Sequence, residues 1–378
     1  MSIPEIFVCH PTVFAIEKDY QIVVPMTADA LVWITVGDKK YYDHSNGIIR
    51  STCPVHKITV PSKALDEAGE YTVSYRKIIE RKPYFSETED VVSITYKFTP
   101  VDHKKPIRLY HVSDSHGNIE GASTAYEKAM GEKPDALILN GDIADHSGDL
   151  DHILTIYKIA AGVTGGTIPT VFSRGNHDLR GNAAELLAEY TPTCYGKSYY
   201  TFRIANIWGV ILDTGEDKND DHPEYGNTIC CHVFREAETE FLKELIEKKE
   251  YEAEGIEYRF VVSHVPFGRA NKGEKGGECP FDIETEIFTE WCTLLKEHIK
   301  PDLMICGHTH TPRTAEVGGD MDDHGQPAPM IVGGKPTSIN GVKGEFTGCA
   351  ITIHDRSVDL TLVDSTGDKK ELNSYKFD

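Results

Sequence analysis

No stretch of the 378 residues approaches the apolar length that a bilayer-crossing helix needs. The opening Met1-Ser2-Ile3-Pro4-Glu5-Ile6-Phe7-Val8-Cys9-His10 has no basic region leading into a long apolar segment. A cytoplasmic location is the expectation. Basic charge is also short, with 39 Lys+Arg against 60 Asp+Glu and a formal net charge of −21. That balance repels a nucleic-acid backbone and an anionic membrane, so neither is an expected partner. The nine cysteines are odd in number and irregularly spaced, which argues against a disulfide framework and for buried thiols, with Cys230-Cys231 and Cys279/Cys292 as the pairs of interest. There is no internal repeat and no low-complexity tract.

What the chain does contain is a hydrophobic fraction of 39%, enough for a real core, over a length that favours two structural units. From Thr12 to about Phe98 short β-branched runs alternate with turn signals, as in Ala30-Leu31-Val32-Trp33-Ile34-Thr35-Val36 and Glu70-Tyr71-Thr72-Val73-Ser74-Tyr75. The pattern predicts a small all-β sandwich of immunoglobulin or fibronectin type over residues 1–103. The polar, proline-bracketed Thr99-Pro100-Val101-Asp102-His103-Lys104-Lys105-Pro106 reads as a linker. Beyond it, over residues 104–378, apolar strands such as Ile107–Val112 and Ala136–Leu139 alternate with helical patterns such as Leu150–Ala161 and about Arg235–Lys249, the signature of a layered α/β domain. After His310 the β-like runs Gly348–Ile353 and Val358–Val363 are expected to finish a second sheet.

Nearly every apolar strand of this second unit ends in a polar cluster made of metal-ligand residue types. Val112-Ser113 leads into Asp114-Ser115-His116, and Leu139-Asn140 into Gly141-Asp142. Phe172-Ser173-Arg174 leads into Gly175-Asn176-His177-Asp178, Val262-Ser263 into His264, and Ile305-Cys306 into Gly307-His308-Thr309-His310. The carboxyl ends of strands in an α/β sheet share one edge, so clusters distant in sequence converge. Mixed oxygen and imidazole donors suit Zn, Mn, Fe or Ni. Seven candidates, Asp114, His116, Asp142, Asn176, His264, His308 and His310, exceed what one tetrahedral ion needs, so two ions are expected, with Asp142 bridging them. Taken singly, each has an ordinary explanation: a turn aspartate, a buried histidine, or for Asn176 a helix cap. The alternation in His308-Thr309-His310 would put both imidazoles on one side of an extended strand. The glycines before Asp142, Asn176 and His308 fit turns where backbone approaches the ions closely.

As an ordered set these motifs, spanning about Ile107 to His310, resemble the calcineurin-like metallophosphoesterases, a superfamily of protein phosphatases, purple acid phosphatases, cyclic-nucleotide phosphodiesterases and nucleases. The resemblance implies a two-sheet β-sandwich flanked by α-helices. It also implies one metal held by Asp114, His116, Asp142 and His310, and another held by Asp142, Asn176, His264 and His308. The N-terminal sandwich resembles the module that purple acid phosphatases carry before their catalytic domain. Where that branch has a tyrosine ligand three residues after the bridging aspartate, however, this chain has Asp145, so a purple colour is not expected.

Two ions sharing Asp142 would bring a bridging water to hydroxide near neutral pH, and His177 is placed to protonate the leaving oxygen, with Asp178 or another carboxylate fixing its tautomer. Asn118 and Arg180 are candidate phosphate contacts. The loops Gly215–Phe234 and Pro266–Ile283 are candidates for substrate selection, the second through Arg269, Lys272 and Lys275. The expected activity is hydrolysis of a small phosphomonoester or phosphodiester, because a bulky polyanion would meet the acidic shell before the positive metal site. The alternatives are a protein phosphatase or nuclease of the same superfamily, which would need an extended or basic groove, and a silent scaffold binding a partner through the N-terminal domain.

Overall fold

A computed structural model describes residues 3–104, 106–268 and 283–377. Its centre is a pair of facing sheets. The first has ten strands. Along its main path the order is Lys369–Lys376, Ser357–Asp364, Lys343–His354, Ile107–Val112, Ala136–Asn140, Pro169–Ser173, Thr12–Ile16, Asp19–Pro25 and Val55–Pro61, and Lys335–Thr337 pairs with Lys343–His354 off this path. The second has six, in the order Tyr200–Ile204, Ile207–Leu212, Tyr258–Ser263, Leu303–Cys306, Met330–Val332 and Arg313–Ala315. The strands that precede the ligand motifs run parallel to their neighbours, Ile107–Val112 to Ala136–Asn140 to Pro169–Ser173 in one sheet and Tyr258–Ser263 to Leu303–Cys306 in the other.

These strands are apolar almost throughout because both faces are covered. Alternation sorts their side chains. Leu109, Ile138 and Val171 point between the sheets with Phe260, Val262 and Ile305. Tyr110, Leu137, Leu139 and Phe172 face out against the helices Ile119–Met130 and Leu150–Thr164. Val210, Val261 and Met304 do the same on the other side against Cys231–Lys248 and Thr285–Leu294. Asp149 caps the second of these helices by accepting from His152 N at 3.0 Å, and Gly165 ends it at φ 57°.

One expectation is revised. The segments Gly348–Ile353 and Val358–Val363 do not finish the second sheet. They lie in the first, where Lys343–His354 pairs antiparallel with Ile107–Val112. The second sheet is instead closed by the short strands Met330–Val332 and Arg313–Ala315. The N-terminal β unit is present, with Val92–Lys97, Glu70–Glu80, Ala30–Val36 and Lys39–Tyr42 as one of its sheets. Its other sheet is the far end of the ten-stranded one, where Thr12–Ile16 runs parallel to Pro169–Ser173. Strand pairing therefore continues from the N-terminal unit into the second one. Tyr71 Oη donates to Gly166 O at 2.9 Å, and Val32, Ile34 and Val73 share a core with Leu109 and Phe260. Among the described residues no helix is long and apolar enough to cross a membrane.

Candidate metal centre

All five motifs leave the carboxyl ends of their strands at one edge of the sandwich, and their side chains meet. Three groups of ligand atoms lie within 4.8 Å of one another: Asp114 with His116 and His310, His116 with Asp142 and His177, and Asp142 with His264 and His308. Asp142 and His116 each appear in two of them, so the groups form one continuous cluster. Its backbone is held in an unusual form. Of fourteen non-glycine residues with left-handed φ among the described residues, five are Asp114, His116, Asp142, His308 and His310. Such conformations persist where surrounding packing fixes them, and here they gather on candidate ligands. His308 and His310 therefore reach the site from a turn, with φ of 69° and 53°, and not from the extended strand that their alternation suggested.

The glycines are sterically required. A Cβ on Gly141, whose φ is 75°, would run into the His264 ring and stand 2.6 Å from Gly175 Cα. One on Gly307 would stand 2.5 Å from Ser113 Oγ and 2.7 Å from Asp114 Oδ2.

Orientation of the ligands comes from the atoms behind them. His264 is fully buried; its Nδ1 bonds the Asn140 carbonyl at 2.8 Å, which turns Nε2 toward Asp142 Oδ2 at 3.1 Å and Asp114 Oδ1 at 3.8 Å. His116 Nε2 stands 2.9 Å from His310 Nε2, and its Nδ1 lies 3.3 Å from the Asp145 carboxylate. His310 Nε2 is 3.4 Å from Asp114 Oδ1, and both Asp114 oxygens accept from His308 N at 3.0 Å. His308 offers Nδ1 to the cluster and Nε2 to Asp217 at 3.6 Å.

The donor set fits a cation. One atom of the Asn176 amide, Oδ1, lies 3.1 Å from His308 Nδ1, and that position is 3.3 Å from His264 Nε2 and 3.2 Å from Asp142 Oδ2. With the amide oxygen on that side and His264 Nε2 unprotonated, four lone-pair donors would converge, which a positive charge at their centre would stabilise. Rotating the amide would turn its nitrogen to the cluster and its oxygen to Arg180 Nη2 at 3.0 Å, the arrangement suited to a site without a cation. The protonation equilibria express the same need. Burial opposes charge on His264, yet Asp142 and Asp114 beside it raise its pKa to about 10. Asp142 is also buried, but His264 and His177 hold its carboxyl well below the usual range. His308, by contrast, is pushed down to about 4 by burial and then by its neighbour His264.

A family model for calcineurin-like phosphoesterases matches residues 107–312. The chain belongs to that family. It is a metal-dependent phosphoesterase hydrolase. No curated protein matches its sequence. Among solved structures it is similar to a purple acid phosphatase isolated from yellow lupin (Lupinus luteus) seeds. The identity is 13% and the TM-score 0.59, over 97% of this chain and 73% of that one. It also matches the E. coli phosphoesterase Yfce at 11% identity and a TM-score of 0.33, over 72% of this chain and 100% of that one. The lupin likeness shows a shared fold in which an N-terminal β domain precedes the phosphoesterase domain.

Within this phosphoesterase site the remaining candidates separate. His177 joins the cluster: its N–H donates to Asp142 Oδ1 at 2.9 Å and its Nδ1 bonds the Asp145 carbonyl at 2.8 Å. The tautomer of His177 is thus set by that carbonyl and not by Asp178. Asp178 is fully buried, and its Oδ2 accepts from Gly175 N at 2.8 Å and Asp142 N at 3.3 Å, holding two motif turns together. Burial and then the Asp142 charge raise its pKa to about 7. Asn118 is not free for phosphate: its Oδ1 caps the helix Ile119–Met130 through Gly121 N at 2.9 Å, and its Nδ2 donates to Gly344 O at 2.6 Å. Arg180 is beside the site, with Nη1 3.2 Å from His177 Nε2. Arg269, Lys272, Lys275 and Cys279 lie outside the described residues. Cys231 is buried, Cys230 exposed, and neither is in a disulfide.

Two parts of the site have no counterpart in the sequence expectations. Asn140 donates to Ser263 O at 3.2 Å and Ile305 O at 3.0 Å, stapling the two sheets directly beneath the cluster. Buried Glu216 grips Arg180 with both oxygens, at 2.7 Å to Nε and 2.8 Å to Nη2. The run Leu212-Asp213-Thr214-Gly215-Glu216-Asp217 follows a strand end just as the ligand motifs do, and that rule would have found it.

Proposed function

We propose that the protein hydrolyses small phosphate monoesters or diesters using two metal ions drawn from Mn, Fe, Zn and Ni. The observation that supports this reading best is the position of Asp142, shared between the His116/His177 group and the His264/His308 group. Asp114, His116, Asp142 and His310 would hold one ion, and Asp142, Asn176, His264 and His308 the other. When bound, the ions supply Lewis acidity, bringing a water toward ionisation at neutral pH and offsetting charge on the phosphoryl oxygens.

The chain's own residues do the rest. With Nδ1–H of His177 donating to the Asp145 carbonyl, Nε2 accepts from Arg180 Nη1 at 3.2 Å, so the ring would act as an acid once an ester at the cluster takes the place of that contact and Nε2 carries a second proton. Water adds to phosphorus and gives up a proton to solvent, the bond from phosphorus to the alcohol oxygen breaks, and that oxygen takes the His177 proton, which solvent then restores. The net charge of −21 favours a small ester over a bulky polyanion.

The test is a panel of p-nitrophenyl phosphate, its bis-ester and cyclic nucleotides, with each metal added to stripped protein. At least one metal should restore hydrolysis. Asp142→Asn should lose both bound metal and activity. His177→Ala should keep its metal and lose turnover by about 10²- to 10⁴-fold. Absence of hydrolysis with every metal would overturn the reading in favour of a partner-binding scaffold.

A further inference from the structure

Next to the metal cluster lies a cleft of about 840 Å³ that the phosphoesterase assignment does not use. It adjoins a shallower depression of about 490 Å³ containing His177, and the two share Arg180, Gly181 and Asn182. Arg180 is the wall between them, with one edge on His177 Nε2 at 3.2 Å. Arg180 and His177 thus stand where the cluster meets this cleft, so an ester bound beside them has the cleft within reach of its alcohol portion.

The chemistry of the walls says what would fit. Leu179, Ile229 and Phe234 are apolar and half-buried, and Tyr225 turns its hydroxyl away to Glu216 at 3.1 Å and Asp217 at 2.9 Å, leaving its ring to the cleft. Two arginines line the cleft, but each is neutralised from behind. Arg174 Nε meets buried Asp213 at 2.6 Å, and Arg180 is clamped by both oxygens of buried Glu216. The Phe234 ring packs between Arg174, 5.4 Å from its centroid, and Tyr199 at 5.5 Å, so its orientation is fixed. The volume is in the range of small-molecule sites, and with both arginines paired and Glu185 and Glu224 also on the lining, a second anion meets apolar walls and carboxylates and no unpaired arginine.

Resting on the proposed hydrolysis of phosphate esters, we propose that this cleft receives the alcohol portion of the ester and selects an uncharged, flat, apolar leaving group over an anionic one. Phe234 and Ile229 are then specificity-determining residues, acting on the departing group and not on the phosphoryl group.

The experiment compares kcat/KM for phenyl phosphate and 4-carboxyphenyl phosphate. The second releases the slightly better leaving group, so a lower rate with it reports the cleft and not intrinsic reactivity. Wild type should prefer phenyl phosphate. Phe234→Ala should lower kcat/KM for that ester by about 10- to 100-fold, the span of lost apolar complementarity. Ile229→Lys, which places a cation in the cleft, should narrow or reverse the preference. Inhibition by inorganic phosphate, which lacks an alcohol portion, should be unchanged in both. Because Phe234 also packs on Arg174, Ile229→Lys on the half-exposed loop carries the test if the first variant does not fold. Equal use of both esters by wild type, or an unchanged ratio in Ile229→Lys, would overturn this inference alone. No hydrolysis of either ester with any metal would overturn the proposed function and this inference with it.

Discussion

Asn140 Nδ2 donates to the carbonyl of Ile305 at 3.0 Å, tying the end of one sheet to the end of the other. The same nitrogen reaches Ser263 O at 3.2 Å, while the Asn140 carbonyl accepts His264 Nδ1 at 2.8 Å. One residue thus fixes the spacing of the sheets and the orientation of an imidazole that faces the cluster. Asn140→Leu keeps the volume and removes the bridge, leaving buried carbonyls unpaired at about 1–3 kcal/mol each. The expected result is a lower chemical denaturation midpoint together with faster metal loss on dialysis. A variant with the wild-type midpoint and wild-type metal content would show that the bridge does neither.

Gly141 combines a left-handed φ of 75° with direct contact against His264 and Gly175. A methyl group there cannot be accommodated by moving a flexible chain end, because the atoms it meets are a buried ring and a backbone carbon. Gly141→Ala should fold with reduced stability and bind substoichiometric metal, measured by elemental analysis of the purified protein. Full metal occupancy would mean that the turn can rearrange without the ligands noticing.

Glu238 is buried on the helix Cys231–Lys248, where it accepts from Asp213 N at 3.0 Å. Burial, then the nearby Asp213 charge, raise its pKa well above the ordinary carboxylate range. With the folded value above the unfolded one, its contribution to stability is full at low pH and is lost as pH rises through the folded value. Glu238→Gln keeps the shape and does not titrate. Its Tm relative to wild type should therefore rise between about pH 5 and about pH 8. A constant difference across that window would show that Glu238 ionises in the fold as readily as in the unfolded chain.

Much of the site is legible in the amino-acid sequence because its signals are local. A run such as Ala136–Asn140 is apolar at every position until its end, and the change to Gly141-Asp142 marks both the strand's end and the start of a ligand turn. The same logic holds for Asp114, His264 and His308. It fails where two chemically identical groups have different partners. Asn118 and Asn176 are both asparagines after a strand, yet one caps a helix and the other faces the cluster. The Asp178 carboxylate, expected near the His177 ring, is taken by the backbone of Gly175 and Asp142.

The sequence by itself determined the strand runs, the order of the five motifs and the residue types available to a metal, because periodicity and turn chemistry act over a few residues. Only the tertiary structure decided which strand edges pair. Backbone donors and acceptors are alike on every strand, so nothing local says that Thr12–Ile16 should lie against Pro169–Ser173 and continue the catalytic sheet. Nor does anything local say that Arg180 should be held by Glu216, since an arginine finds its buried carboxylate only once folding has brought the two strand ends together.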